Sequence, residues 1–382
     1  GPLALRMPAP DETRRALVIG AGLAGAAVTA ALCRRGWRVT LLDAAEGPAR
    51  AASALPVGVL SPHLTRQPTP MSRLTALGVP IARAELERLV APGAGWQAAT
   101  IDNRGAHAPG QQPAALVRPG ALVLAWLAEA GERLDTRWNA PVAGLSRGTG
   151  QWQALDPAGR TIAAAPHAVI AAALGSRDLA PEAGGAWPLG PVLGQMSLGA
   201  LDGAPLSERP QRDDGVFVPE YRDSGLAPRW PAAIWAMGST YARGRTDTAL
   251  SDAAHRDNAA RLRALAPAAA DRLEDGLAQG RLLGWAGVRC ASMDRLPLVG
   301  AAPDPAAWAA RDSAGHAASA VPRLPGLWLL TALGSRGLSL AAACGQWLAA
   351  EMDGEAPGLD AELRTAIDPA RFAWRRARRT RG

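Results

Sequence analysis

Apolar residues along the chain alternate between two rhythms. ALVIG, at 16–20, is a short, mostly apolar run that stops at a glycine. AAVTAALCRRG follows with a helical pattern, and WRVTLLD closes the unit as a second strand ending in Asp43. Strand, glycine turn, helix and strand in this order make a βαβ unit. Residues 45–80 are rich in Pro and Ala and predict loops with one short helix; IARAELERLV, from residue 81, predicts an amphipathic helix. RPGALVLAWLAEAGERL (118–134) predicts another helix. Strand-like runs follow at 139–146, near 152 and at 161–175. The stretch 186–245, with PVLGQMSLG, DGVFVPEY and AAIWAMGSTYARG, predicts antiparallel strands joined by polar turns. Residues 248–279 predict one or two helices. From 281 the pattern returns to strand, loop and helix, and 353–382 is a polar tail. ALGSR occurs twice, at 173–177 and 332–336, each time after an apolar strand. A strand that ends in such a turn points backbone N–H groups beyond the sheet edge, so both copies predict cofactor-facing turns of one sheet.

Gly20-Ala21-Gly22-Leu23-Ala24-Gly25 fits GxGxxG. With 42 glycines in the chain, the motif carries weight only through its context. That context is a preceding strand, a following helix and Asp43 at the end of the next strand. Gly20 permits the tight turn, Gly22 the approach of a pyrophosphate, and Gly25 close packing of helix on strand. The helix N-terminus favours phosphate charge, and Asp43 is the candidate acceptor for a ribose hydroxyl. Dinucleotide binding follows, with NAD and FAD not separated by the motif.

Composition narrows the picture. The 382 residues, 48% of them hydrophobic, suffice for a large α/β domain and a smaller one. No stretch of eighteen uncharged apolar residues is present, so no membrane-spanning helix is expected. The opening GPLALRMPAP lacks the features of a secretory signal and reads as a linker or cloning remnant. Cys33, Cys290 and Cys344 are too widely spaced for a disulfide framework or a zinc site, which makes a reducing cytoplasm the default. The net charge is +7, and every basic residue other than histidine is arginine. The absence of lysine excludes a lysine Schiff base and a Walker-type lysine. A GC-rich coding bias explains the composition, yet arginine remains the better residue for bidentate contacts to carboxylate and phosphate.

The C-terminal half adds a resemblance. Trp285-Ala286-Gly287-Val288-Arg289, followed by Asp294-Arg295-Leu296-Pro297-Leu298-Val299-Gly300, resembles a signature of the D-amino-acid oxidase and glycine oxidase superfamily. GVRCASMDRLPLVGAAPD, GSTYARGRTDTALSD, LGQMS, TALGSRGLS and the terminal DPARFAW are similar to the FAD-dependent C-terminal module of the bifunctional tRNA 5-methylaminomethyl-2-thiouridine biosynthesis family. The likeness runs from about residue 15 to 375. It implies an α/β fold of the glycine oxidase type, with a Rossmann-type FAD-binding domain and a mainly antiparallel substrate domain. The division expected is 14–66, 113–190 and 281–352 for FAD, 67–112 and 191–280 for substrate, and 353–382 as a basic tail. It also implies FAD as cofactor and tRNA as partner. The reaction implied is oxidative removal of the carboxymethyl group from 5-carboxymethylaminomethyl-(2-thio)uridine at the wobble position, by hydride transfer to flavin N5 and imine hydrolysis, giving the 5-aminomethyl base and glyoxylate. Bifunctional members carry a methyltransferase module, which this chain lacks. That module is expected in another chain or to have been cut away.

Within that resemblance Arg289 takes the role of carboxylate anchor, with an arginine paired inside a domain interface as the structural alternative. Arg336, in Gly334-Ser335-Arg336-Gly337-Leu338, is a second candidate; its turn leads into a helix whose N-terminus would favour an anionic reduced flavin. It equally suits a phosphate, or plain turn geometry. Tyr241 is a candidate for hydrogen bonding to substrate or a buried strand tyrosine. His63 lies in the loop expected near the flavin, where Arg50-Ala51-Ala52-Ser53-Ala54-Leu55 departs from the family's glycine-rich run. Gly20, Gly22, Leu23, Ala24, Gly25, Asp43, Gly175, Gly334, Ser335, Gly337 and Leu338 are the expected cofactor contacts. Cys290 reads as a packed, inert thiol. Arg371 to Arg381, interleaved with Phe372 and Trp374, resembles a phosphate-contacting strip, with a solvated tail as the alternative. Arg243 and Arg245 would extend a basic rim. Two other readings stand beside the tRNA enzyme: an oxidase of free glycine, sarcosine or another small amine, and an RNA-binding flavoprotein without catalysis.

Overall fold

The computed structural model describes residues 10–105, 109–183, 187–309 and 317–379, so the opening residues 1–9 and Arg381 lie outside it. Among these residues one six-stranded sheet runs in the order Leu298–Pro303, Arg323–Thr331, His167–Ile170, Arg15–Ile19, Arg38–Leu42 and Leu134–Arg137. All its pairings are parallel except that of Leu298–Pro303 with Arg323–Thr331. Central parallel strands are covered on both faces, so Ala16 to Ile19 are all buried. On one face lie the helices Leu23–Arg34 and Gly337–Met352, with Val28, Ala31 and Leu32 packed in one core with Leu340, Ala343 and Leu348. The other face is closed by a three-stranded meander, Gly144–Arg147, Trp152–Leu155 and Thr161–Ala165, whose Leu145, Trp152 and Ala154 share a core with Leu17, Ile19 and Leu42. Leu23–Arg34 is rich in alanine for a steric reason: Ala26, Ala27 and Ala30 also meet Leu122, Val123 and Trp126 of the Pro119–Ala130 helix.

A second, nine-stranded sheet contains Leu189–Ala200, Ala233–Gly238, Gly215–Arg222, Gln211–Asp213, Trp96–Asn103, Gly110–Val117 and Gly58–Leu60 in succession, with Ala242–Arg243 and Leu283–Ser292 both paired to Leu189–Ala200. The helices Asp252–Leu265 and Pro267–Ala278 back it, placing Ala259, Leu262, Leu265 and Leu273 on Phe217, Trp235 and Met237.

Four sequence expectations change. A single helix, Pro70–Leu89, takes in the amphipathic helix expected from residue 81 and extends it back through 70–80, where loops with one short helix were expected. Thr69 and Ser72 cap it reciprocally, Thr69 Oγ1 accepting from Ser72 N at 3.1 Å and Ser72 Oγ from Thr69 N at 2.8 Å. Pro80 sits inside the helix, and Gly78 brings its backbone against the Ser339 carbonyl. The run 161–175 is two strands, Thr161–Ala165 and His167–Ile170, in different sheets. Strands Gly58–Leu60, Gly110–Val117 and Leu283–Ser292 bond into the nine-stranded sheet, although sequence assigned 58–60, 113–117 and 283–292 to the FAD domain. For Leu283–Ser292 the cause is a ten-residue antiparallel ladder with Leu189–Leu198. Finally, the tail is helical at Ala361–Ile367 and Arg371–Arg379.

Arg371 is not a phosphate contact. It is 1% exposed, and all its donors are used: Nε and Nη2 on the Asp294 carboxylate at 2.8 and 2.9 Å, the remainder on the carbonyls of Pro297, Leu296 and Asp368. Arg375 adds a bond to Asp294 at 2.9 Å. Burial opposes ionisation of Asp294, but the hydrogen bonds and charges of the two arginines outweigh it and hold the carboxyl well below the usual range. Asp294→Asn should therefore destabilise the fold by about 3–5 kcal/mol at neutral pH, because Arg371 stays buried without its counter-charge. The pair's contribution is complete above the unfolded carboxyl pKa of about 4 and is lost as pH falls toward the folded value. Thermal melts of both proteins should therefore converge in acid; equal melting temperatures at pH 7 would refute this account.

Candidate active site

A cleft of about 510 Å³ opens where the parallel strands end. Cofactor sites generally enclose about 300–1,000 Å³. One wall is Ile19 to Ala24, Ala171 to Ala173 and Leu330 to Leu338; facing it are Gly58, Val59, Trp285, Val288 and Arg289. Gly20, Gly22, Leu23, Ala24, Asp43, Gly175, Gly334, Ser335, Gly337 and Leu338 all line it. Gly25 does not. Its Cα packs so tightly on Gly20 that a Cβ would lie 1.6 Å from the Gly20 carbonyl oxygen, while Gly20 takes φ +109° beside the Ala171 carbonyl. Both copies of ALGSR reach the cleft through equivalent turns: Ala173 and Ala332 take left-handed φ of 50° and 62°, and each copy contributes to a 3-10 turn.

Asp43 braces the glycine turn. Its Oδ2 accepts from Ala21 N at 2.8 Å and its Oδ1 from Ala45 N at 2.8 Å, leaving a second lone pair on each oxygen toward the cleft. Ser53, from the run that departs from the family's glycine-rich pattern, accepts from Leu23 N at 3.0 Å at the mouth of the Leu23–Arg34 helix. Ser53 takes the Leu23 amide and the Gly22 carbonyl takes that of Ala26, which leaves the amides of Ala24 and Gly25 as donors for an anion.

Arg289 enters the opposite wall from the Leu283–Ser292 strand, and its guanidinium donates to Ser239 Oγ. No carboxylate pairs with it among the described residues. Burial, partly countered by nearby Tyr241, lowers its pKa, though an arginine stays protonated. A polar chain stands behind it. The Ser239 carbonyl accepts from Arg261 Nη1 at 2.9 Å; Arg261 Nη2 donates to Asn258 Oδ1 at 2.9 Å; Asn258 Nδ2 donates to the Gln195 carbonyl and to Ser197 Oγ, each at 3.0 Å. Ser197 Oγ also lies 2.6 Å from His255 Nδ1, and burial lowers the His255 pKa. Asn258, Arg261 and Ser239 were missed from sequence because nothing local marks residues fifty apart as one network. Only the helical spacing of His255, Asn258 and Arg261 hinted at a shared polar face.

Tyr241 is 51% exposed and outside the cleft lining, with the Arg243 guanidinium 5.7 Å from its ring centroid; it is not a buried strand tyrosine. Arg245 is exposed as well. Arg336 also lies outside the lining, although its neighbours Ser335 and Gly337 are part of it. Its Nη2 meets His63 Nδ1 at 2.7 Å. Burial first, then the charges of Arg336 and Arg212, lowers the His63 pKa. Cys290 is buried, and burial pushes its thiol up to about 11.

The family model described as FAD dependent oxidoreductase matches residues 15–101 and 103–351. The chain belongs to that family. Two curated relatives, each called tRNA 5-methylaminomethyl-2-thiouridine biosynthesis bifunctional protein MnmC, are 36% identical. The one from Verminephrobacter eiseniae aligns over 95% of this chain and 64% of its own length; the one from Ralstonia nicotianae aligns over 96% and 61%. The chain thus spans about three fifths of the relatives it matches. Among solved structures, glycine oxidase from Geobacillus kaustophilus aligns with a TM-score of 0.64 at 18% identity, covering 93% of this chain and 98% of its own. Iminodiacetate oxidase from Chelativorans sp. BNC1 aligns with a TM-score of 0.66 at 18% identity, covering 91% and 98%. These likenesses support the fold.

FAD is the cofactor of this family, and the residues present suit it: a glycine turn that excludes a Cβ, the first-turn amides of Ala24 and Gly25, and an acidic side chain at the end of the second strand. Gly25→Val should therefore yield folded protein with little bound flavin, scored as flavin absorbance per polypeptide; a full complement would show that the turn does not hold the cofactor. Arg261→Leu should raise KM for a carboxylate-bearing amine about tenfold with a smaller change in kcat, because it frees Ser239 and, through it, Arg289. An unchanged KM would refute the relay.

Proposed function

We propose that the chain oxidises the glycine-like arm of 5-carboxymethylaminomethyl-(2-thio)uridine at the tRNA wobble position, releasing glyoxylate and leaving the 5-aminomethyl base. The observation that carries the reading is Arg289, a desolvated guanidinium with no carboxylate partner that faces the glycine turn across one cleft. A side chain held that way by a neutral hydroxyl suits a substrate carboxylate, and its fork fixes both position and orientation. The bound flavin supplies a hydride acceptor. The glycine methylene carbon loses a hydride and the amine nitrogen its proton, giving an imine. Water adds to that carbon, the carbon–nitrogen bond breaks, and glyoxylate departs. No acid–base pair is required, since the amine can shed its ammonium proton before oxidation.

The choice of tRNA rests on the two relatives' names. The exposed Tyr241, Arg243 and Arg245 near Arg289, and the exposed Arg376, Arg378 and Arg379 on the last helix, form the surface proposed for the RNA backbone. Residence in the cytoplasm is part of the same proposal; no described helix is long and apolar enough to cross a membrane. The two-domain division is proposed in the form the sheets suggest, with Leu283–Ser292 in the substrate unit. Methyl transfer is not proposed for this chain.

Anaerobic reduction of the bound flavin tests the reading. tRNA bearing the carboxymethylaminomethyl group should bleach the flavin rapidly, glycine and sarcosine poorly. Arg289→Met should lower kcat/KM about 100-fold, matching the loss of a charge-assisted bidentate contact. Bleaching by the free amino acids but not by the tRNA would leave a small-amine oxidase, the activity named for the glycine oxidase neighbour.

A further inference from the structure

Arg212 and Arg336 are part-buried, reach the same loop, feel one another's charge, and have no carboxylate in ion-pair range among the described residues. Several other buried or part-buried arginines have a carboxylate: Arg34 has Glu85 and Glu129, Arg118 has Asp223, Arg323 has Asp368, and Arg371 has Asp294. Arg212 lies on the short Gln211–Asp213 strand, and its Nη2 donates to Ser61 Oγ at 2.7 Å. Arg336 meets His63 Nδ1 at 2.7 Å. Ser61 and His63 belong to one loop, which follows the Gly58–Leu60 strand and is held by Ser339 Oγ on the Ser61 carbonyl at 3.3 Å and by Thr75 Oγ1 under His63 N at 2.9 Å. Only neutral acceptors therefore face the two guanidiniums. Loss of water first, and then the charge of Arg336, pushes the Arg212 pKa down to about 10. Holding two like charges in partly desolvated positions is unfavourable unless a ligand offsets it. Both side chains keep part of their surface exposed, so a ligand can reach them.

We infer that Arg212 and Arg336, spaced by Ser61 and His63, form an oxyanion-binding site separate from Arg289. The ligand chemistry is a single oxyanion group, carried either as a carboxylate of the amine substrate or as a phosphate of a nucleotide. His63 serves as a neutral spacer: its Nδ1 accepts from Arg336, so its proton sits on Nε2. Arg212, on a strand remote in sequence from every glycine motif, is then a specificity-determining residue. The inference rests on the proposed amine-oxidising function only for the identity of the molecule that carries the anion.

Calorimetric titration of the FAD-loaded protein with sodium acetate and with inorganic phosphate tests it, with no tRNA and no turnover, so its failure is distinct from failure of the tRNA reading. Wild type should bind one of the two anions, and Arg212→Gln should weaken that binding about ten- to a hundredfold, the worth of a lost charge-assisted hydrogen bond. Acetate can also occupy Arg289, so both titrations are repeated in Arg289→Gln, where one anion should still bind and adding Arg212→Gln should weaken that remaining binding about ten- to a hundredfold. Selective loss of acetate assigns the site to a carboxylate, and selective loss of phosphate to a nucleotide phosphate. Arg212→Lys, which keeps the charge and protects against misfolding of the first variant, should weaken binding several-fold by removing the planar fork. Unchanged affinity in whichever Arg212 variant folds, or no binding of either anion to Arg289→Gln, would overturn the inference.

Discussion

The ten-residue antiparallel ladder between Leu189–Leu198 and Leu283–Ser292 is the interaction on which the rest depends. It fixes Arg289 opposite Val192 and so sets where the proposed carboxylate anchor stands. Three residues after that strand ends, Arg295 takes a left-handed conformation, and the chain passes through Asp294 to Pro297 into the six-stranded sheet at Leu298. One continuous segment therefore carries Arg289, the proposed substrate anchor, in one sheet and forms the edge of the other. The width of the cleft is governed by that short connection, which Arg371 grips from beneath.

Arginine alone supplies this chain's fixed positive charge, and the structure divides those residues into two populations. Arg34, Arg118, Arg323 and Arg371 are balanced by acids and hold elements together. Arg289, Arg212 and Arg336 face hydroxyls or an imidazole. A buried ion pair contributes little net stability, because desolvation offsets its attraction, but an unbalanced cation costs more still. Keeping three such groups around one region is the reverse of optimising stability and resembles preparation for negative charge.

The cofactor half was legible because its signals are local. The glycine turn, Asp43 and both ALGSR turns each lie within a few residues of the strand that positions them, and ten of the eleven residues expected at the cofactor line the cleft. Gly25, the exception, has the packing role that its place in the motif implied. The substrate half was less legible. Tyr241 proved exposed, and Arg336 turned toward His63, because a residue's direction there depends on strands up to a hundred positions apart. Pro70–Leu89 was hidden by Gly78 and Pro80, which disfavour an isolated helix but are tolerated once its face is buried. The arginines at the C-terminus misled in another way: composition alone could not separate Arg371, saturated by five hydrogen bonds, from the exposed Arg378 and Arg379 on the same helix.

That last helix changes what it means to shorten this protein. Its final turn looks like a dispensable charged extension, yet its first residue plugs the floor of the connection leading away from the anchor strand. A version ending before residue 371 would remove the keystone of that connection along with the surface charge. Any weakening of RNA association in such a truncated chain would then report a loosened cleft as much as a missing contact.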